Sequence, residues 1–149
     1  MRTRRSFARA ALVLAAALAA AGCGNFAKGR EDADRAVAEF HAQFNAGSYD
    51  AIWDASAEEF KAAGSRQDFS ALLAAVRRKL GDLTGSTTRS WNVNSRNLTT
   101  YVTLVQDSRY ATERAETTAK AVETFTFVVR KDRATLLGYN IASTDLILR

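Results

Sequence analysis

Along residues 31–149 the spacing of apolar positions changes once, and that change divides the chain into a helical half and a strand half. From Glu31 to about Ala46, the residues Val37, Phe40, His41 and Phe44 recur at helical spacing. Glu31, Asp32 and Asp34 fall in the first turn of that pattern, where the helix dipole favours negative charge. Gly47 supplies a C-terminal stop, and Ser48 is placed to cap a second helix carrying Tyr49, Ile52 and Trp53. Ser56 and Glu59 match a capping box ahead of Phe60, so this region reads as two short helices or one broken one. A third helix starts after Ser65, carries Phe69, Leu72, Leu73, Val76 and Leu80, and ends at Gly81.

Beyond Gly85 the period falls to 2 and the composition turns to Thr, Ser, Val and aromatics. A strand around Thr87 to Ser95 alternates Trp91 and Val93 with Asn92 and Asn94. The next, Leu98 to about Tyr110, sets Tyr101, Thr103 and Val105 on one face. A third, about Thr117 to Arg130, sets Phe125, Phe127 and Val129 against Thr124, Thr126 and Val128. Lys131-Asp132-Arg133 is a tight polar turn. The last strand, Ala134 to Leu148, places Leu137, Tyr139 and Ile141 together, with Gly138 marking a bulge. Helices first and strands second predict an α+β domain, about three helices on one face of a curved four-stranded antiparallel meander.

The segment before residue 31 follows a different logic. Arg2, Arg4, Arg5 and Arg9 precede an Ala, Leu and Val run from Ala10 to Ala21, which ends at Ala20-Ala21-Gly22-Cys23. A basic segment, a short apolar run and a small-residue junction are the parts of a secretory signal. The run is too short for a bilayer span, which takes roughly 20 apolar residues. The junction resembles the lipobox of bacterial lipoproteins, with Ala20 where leucine is commoner. That resemblance implies cleavage between Gly22 and Cys23 and a diacylglyceryl group on the Cys23 sulfur. The organisation expected is a cleaved signal peptide over 1–22, a lipidated cysteine and short tether over 23–30, and one domain over 31–149. Two or more acyl chains hold a protein on its membrane, where one alone binds marginally. Gly24 stands where aspartate would retain a Gram-negative lipoprotein in the inner membrane. The expected location is therefore the periplasmic face of the outer membrane.

Removing residues 1–22 also removes the basicity. The whole chain has 21 Lys and Arg against 16 Asp and Glu, and the mature part 17 against 16. A pI near 9.7 therefore reports the leader, and no nucleic-acid partner is expected. With Cys23, the sole cysteine, acylated, no thiol is left for a disulfide or a metal site. The mature chain is long enough for one domain with a sizeable core.

Candidate chemistry is thin. His41 is the only histidine and sits on or beside an apolar helical stripe; without a His-x-x-x-His pair it reads as structural, and no metal or cofactor is expected. Asp54 and Glu58 are four apart, which on one helix would pair two carboxylates, or simply form a solvated face. Tyr101 or Tyr139 with Asp50 or Asp54 is the tyrosine–carboxylate pairing available to an enzyme. Arg77, Arg78 and Lys79 close the third helix, where positive charge is stabilising, and are the candidates for contact with anionic headgroups or an acidic partner. Trp53, Phe69, Tyr101, Phe125 and Tyr139 either fill the core or line a pocket between helices and sheet.

The run Ala46-Gly47-Ser48-Tyr49-Asp50-Ala51-Ile52-Trp53-Asp54, then Val76-Arg77-Arg78-Lys79-Leu80-Gly81, then Leu137-Gly138-Tyr139-Asn140-Ile141, resembles a set of small exported bacterial proteins that form a domain family of unknown function. That family's Asp-Gly turn and following Trp are replaced here by Asp132-Arg133-Ala134-Thr135. The layout is also similar to the cystatin-like or nuclear-transport-factor-like cone, a curved sheet wrapped on a long helix. Neither resemblance brings an activity with it. The function expected is a membrane-anchored, non-enzymatic interaction module with an envelope protein partner. The alternatives are a small-molecule or lipid-binding cone and, more remotely, a cone-fold enzyme with a tyrosine–carboxylate site.

Overall fold

A computed structural model describes residues 4–112 and 118–148, with side chains from Gly24 onward except those of Asn25 and Leu148. The expected signal peptide, its cleavage point and the acylated Cys23 side chain lie outside the described side chains. The elements are α1 (Arg4–Ala46), α2 (Tyr49–Ala55), α3 (Glu58–Ala63), α4 (Arg66–Leu80), β1 (Asp82–Arg96), β2 (Thr99–Ala111), β3 (Thr118–Arg130), β4 (Arg133–Ala142) and α5 (Thr144–Leu148). The four strands form one open antiparallel meander in the order β1-β2-β3-β4. The fold is α+β, with the helices leading the sheet.

Local chemistry explains most of the boundaries. Gly47, at φ 72, ends α1 in a Schellman motif. Its N–H donates to the Phe44 carbonyl at 3.0 Å and the Ser48 N–H to that of Gln43 at 2.9 Å. Ser65 caps α4, its hydroxyl oxygen accepting from the Asp68 N–H at 3.0 Å. Gly81, at φ 88, turns α4 directly into β1; a Cβ there would stand 1.6 Å from the Ala111 carbonyl oxygen.

Other expected caps are not formed. Ser48 precedes α2 but its side chain makes no capping bond. Ser56 ends α2 instead of starting α3, because its hydroxyl donates back to the Ile52 carbonyl at 2.8 Å. The corner after it is held from outside, by the Ala57 N–H donating to Leu136 of β4 at 2.8 Å. Glu31, Asp32 and Asp34 lie inside α1, not in its first turn. They pair along the helix, Lys28 with Asp32 at 3.5 Å, Arg30 with Asp34 at 3.1 Å and Arg35 with Glu31 at 3.1 Å. Packing also begins earlier than residue 31: Gly29 is buried against Thr100 and Val102 of β2.

The core lies between the helices and one face of the sheet. Val37, Phe40 and Phe44 of α1 meet Val102, Leu104 and Tyr110 of β2 and Phe125 and Phe127 of β3. Phe69, Leu73, Val76 and Leu80 of α4 and Ile52 and Trp53 of α2 complete it. Leu72 points out. In β4 the expected phase is corrected by a bulge. Thr126 pairs with Gly138 but Phe127 with Leu136, leaving Leu137 as the extra residue. Leu136, not Leu137, therefore joins Tyr139 and Ile141 against the core. The chain also leaves the sheet at Ala142, short of the expected Leu148. There Ser143 donates to the Lys120 carbonyl at 2.6 Å and accepts from the Asp145 N–H at 3.2 Å, starting α5.

Candidate functional site: a buried carboxylate

β3 alternates cleanly, so Ala121, Glu123, Phe125 and Phe127 all face the helices. Glu123 is therefore delivered to the centre of the core, where it is 1% exposed. A lone charge there would be costly, since burial without partners removes its hydration. It is not alone. His41 of α1 places Nε2 2.9 Å from Oε2, and the Ser108 hydroxyl of β2 donates to the same oxygen at 2.5 Å. The Tyr139 hydroxyl of β4 donates to Oε1 at 2.8 Å, and the buried Tyr110 of β2 lies within the electrostatic reach of the carboxylate. One side chain thus ties a helix to three strands.

The surroundings set its charge. Burial alone would push the Glu123 carboxyl up. The hydrogen bond and charge of His41, with the Ser108 and Tyr139 hydroxyls, outweigh that and hold it below the usual carboxylate range. Burial, then the negative charge of Glu123, pushes the Tyr110 and Tyr139 phenols well up, so both stay protonated donors. The pair His41–Glu123 is boxed by Phe125, whose ring centroid is 5.5 Å from that of His41, and by Phe40 at 5.9 Å. A polar seam continues from Ser108 towards β1. Ser86 lies 3.3 Å from it and donates to Gln106 Oε1 at 2.9 Å, and Gln106 Nε2 donates to Thr88 at 2.9 Å.

Chemically the carboxylate is occupied. A carboxylate offers about four lone-pair sites, and His41, Ser108 and Tyr139 direct hydrogen bonds at three of them. General-base work needs a proton on a substrate within hydrogen-bond reach, and so a displaced partner here. Two open clefts mark the described surface. One of about 250 Å³ lies between α1, α2 and the β3–β4 turn, bordered by Asp32, Arg35, Phe40 and Asp132. The other, about 470 Å³, includes Arg89, Asp107 and Lys120. Neither is lined by Glu123, His41, Tyr110 or Tyr139. Among the described residues no group of His, Cys, Asp and Glu side chains is placed to hold a metal ion. No described helix is long and apolar enough to cross a membrane.

The chain matches no protein-family model and no curated protein. Its resemblance to small exported proteins rests on the motifs alone.

The residues singled out from sequence scatter. Trp53, Phe69, Phe125 and Tyr139 join one ring cluster, with centroids 6.0 Å apart for Trp53–Phe69, 6.4 Å for Phe69–Tyr139 and 5.1 Å for Phe125–Tyr139. Tyr101 lies on the opposite sheet face, because the parity of β2 sends Val102, Leu104, Gln106, Ser108 and Tyr110 inward. Tyr139 does find a carboxylate, but it is Glu123. Asp50 accepts from Ser70 at 2.8 Å and Asp54 pairs with Arg66. Asp54 and Glu58 sit on different helices, α2 and α3, so they share no helix face. Arg77 pairs with Asp82 at 2.7 Å and donates to the Phe44 carbonyl at 3.4 Å; Lys79 donates to the Leu146 carbonyl at 2.6 Å. Those two cations hold the ends of α1 and α5, and Arg78 is exposed.

Sequence reasoning missed Glu123, Ser108 and Tyr110. The signal was present for Glu123: the Phe125–Phe127 alternation extended back two residues reaches it. Its partner His41 stands 82 positions away, and nothing along the chain links the two.

Proposed function

We propose that this protein is a membrane-anchored bacterial lipoprotein whose single α+β domain works as a non-enzymatic interaction module on the cell envelope. The observation that carries the module reading is the engagement of Glu123: the most reactive-looking group inside the domain is buried and hydrogen-bonded on both oxygens by its own chain. The surface is then the working part. The anchor is supported by the basic segment, apolar run and Ala20-Ala21-Gly22-Cys23 junction. Packing is consistent with it, since side chains engage the sheet from Lys28 and Gly29 onward, and cleavage before Cys23 leaves every one of them in place.

A second reading, the cone-fold enzyme, draws support from the 2.8 Å Tyr139–Glu123 hydrogen bond. It requires a ligand that displaces one of the carboxylate's three hydrogen-bond partners.

Native mass spectrometry tests both readings on the full-length chain, expressed in a bacterial host and extracted from its membrane in mild detergent. The expected result is a chain beginning at Cys23, carrying covalent acyl mass and no further bound mass. A mature chain without acyl mass overturns the anchor. A discrete non-covalent mass on the monomer overturns the module reading in favour of a binding or catalytic cone.

A further inference from the structure

The sheet has two ends, and they differ. In the meander both two-residue turns, Asn97-Leu98 between β1 and β2 and Lys131-Asp132 between β3 and β4, fall at the same end. α1 approaches from that end as well. Gly29 packs on Thr100, the second residue of β2, and Lys28 pairs with Asp132 at 3.3 Å. Phe26, one helical turn before Gly29 and Arg30, is therefore carried to the level of the turns, and residues N-terminal to it lead away from this pole.

This pole carries two of the five large apolar residues exposed among the described ones, Phe26 at 45% and Leu98 at 105%; Trp91, at 54%, lies further along β1, opposite Leu104. Leu98 is the telling one. It sits in the left-handed region at φ 63, where glycine or asparagine is the favoured residue, and it touches nothing that would repay the conformation. Cations surround it. Arg96, Lys131 and Arg133 are exposed and form no ion pair among the described residues, and Arg30 stacks over Trp91 at 4.8 Å. Arg77 and Lys79, by contrast, lie at the far end of the sheet, beside Gly81 and Ala111, and are spent on internal contacts.

We infer that the pole bearing Leu98 and Phe26 rests on an anionic membrane surface, with the two apolar side chains at headgroup depth and Arg96, Lys131 and Arg133 on lipid phosphates. An apolar tip ringed by unpaired cations is the chemistry of an interfacial lipid contact. The exit of the N-terminal chain at the same pole supplies the orientation. That part rests on the lipid anchor at Cys23 of the proposed function; Gly29 stands six positions after Cys23, at most roughly 20 Å even fully extended.

The test labels the full-length acylated protein, reconstituted in vesicles, with an environment-sensitive fluorophore at Leu98→Cys and, as control, at Ile147→Cys on α5. With phosphatidylglycerol in phosphatidylethanolamine vesicles, the Leu98→Cys label should shift to the blue and be quenched by a lipid-phase quencher severalfold more than the Ile147→Cys label. Combining it with Arg96→Glu, Lys131→Glu and Arg133→Glu should abolish the shift while the protein stays vesicle-bound. If the acylated protein stays bound but the Leu98→Cys label is as aqueous as the control, the lipid contact is overturned and the pole passes to a protein partner. A shift that survives the charge reversals overturns the electrostatic half. Protein that carries no acyl mass and leaves the vesicles signals failure of the anchor, which is a separate result.

Discussion

Glu123 draws its stability contribution from its neighbours rather than from itself, and that makes its effects specific. The folded protein holds the carboxyl below the 4.5 of an ordinary glutamate. As pH falls, the unfolded chain therefore takes up the proton first. The contribution is complete above that ordinary value and is lost as pH descends through the folded one. Thermal melts from pH 7 down to pH 3 should show a steeper loss in the wild-type protein than in Glu123→Gln, which has no carboxyl to titrate. At pH 7 His41→Ala should cost about 3–5 kcal/mol in denaturant unfolding, because it leaves the buried Glu123 carboxylate without its 2.9 Å ring partner. Tyr139→Phe, which removes one of three hydrogen-bond partners, should cost about 1–3 kcal/mol. Equal losses for these two variants would show that the cluster does not centre on the His41–Glu123 pair.

Among the elements, the bulge in β4 and the corner after α4 carry the sharpest consequences. Leu136 is buried where Leu137 is the bulged residue, so Leu136→Ala should cost about 2–5 kcal/mol and Leu137→Ala clearly less. The reverse order in unfolding measurements would place the bulge elsewhere. Gly81→Ala meets both a positive φ and the Ala111 carbonyl, and a 1.6 Å approach cannot be relieved without moving β1 or β2. It should destabilise by several times the ~1 kcal/mol of an ordinary glycine effect. Gly64, with extended backbone at φ −152 and nothing near its missing Cβ, should accept alanine with a change of about 0.4–1 kcal/mol in the stabilising direction. Element type was legible from the sequence where local chemistry decides it, as at Gly47, Ser65 and Gly81. It misled at Ser56, whose hydroxyl has a nearer acceptor one turn back than the expected partner ahead. It misled again at Leu137: the bulge expected at Gly138 falls one residue earlier, which reverses the phase of the strand before it.

The helices and sheet close over a core in which each buried polar side-chain atom has a partner among the described residues. On the proposed reading, what the domain meets is decided by its surface and by the anchor at Cys23. On the proposed lipoprotein reading, in which both processing steps depend on the Cys23 sulfur, Cys23→Ser should yield a chain that retains residues 1–22 and lacks acyl mass; whole-protein mass spectrometry reads both at once. A processed chain in spite of the substitution would mean an ordinary secretory signal.

The sequence by itself determined the α+β class, the order of helices and strands, the third-helix core residues and the candidate anchor. Each of those follows from periodicity or short motifs, which act over a few residues. Tertiary structure alone decided which face of β2 turns inward, which leucine of β4 enters the core, and that His41, Ser108, Tyr110 and Tyr139 converge on Glu123. Both faces of β2 carry enough apolar residues to be buried, so only the helices packed on one of them break the tie. Convergence on Glu123 joins positions as far apart as 41 and 123, and only the folded arrangement of α1 over the sheet brings them within 2.9 Å.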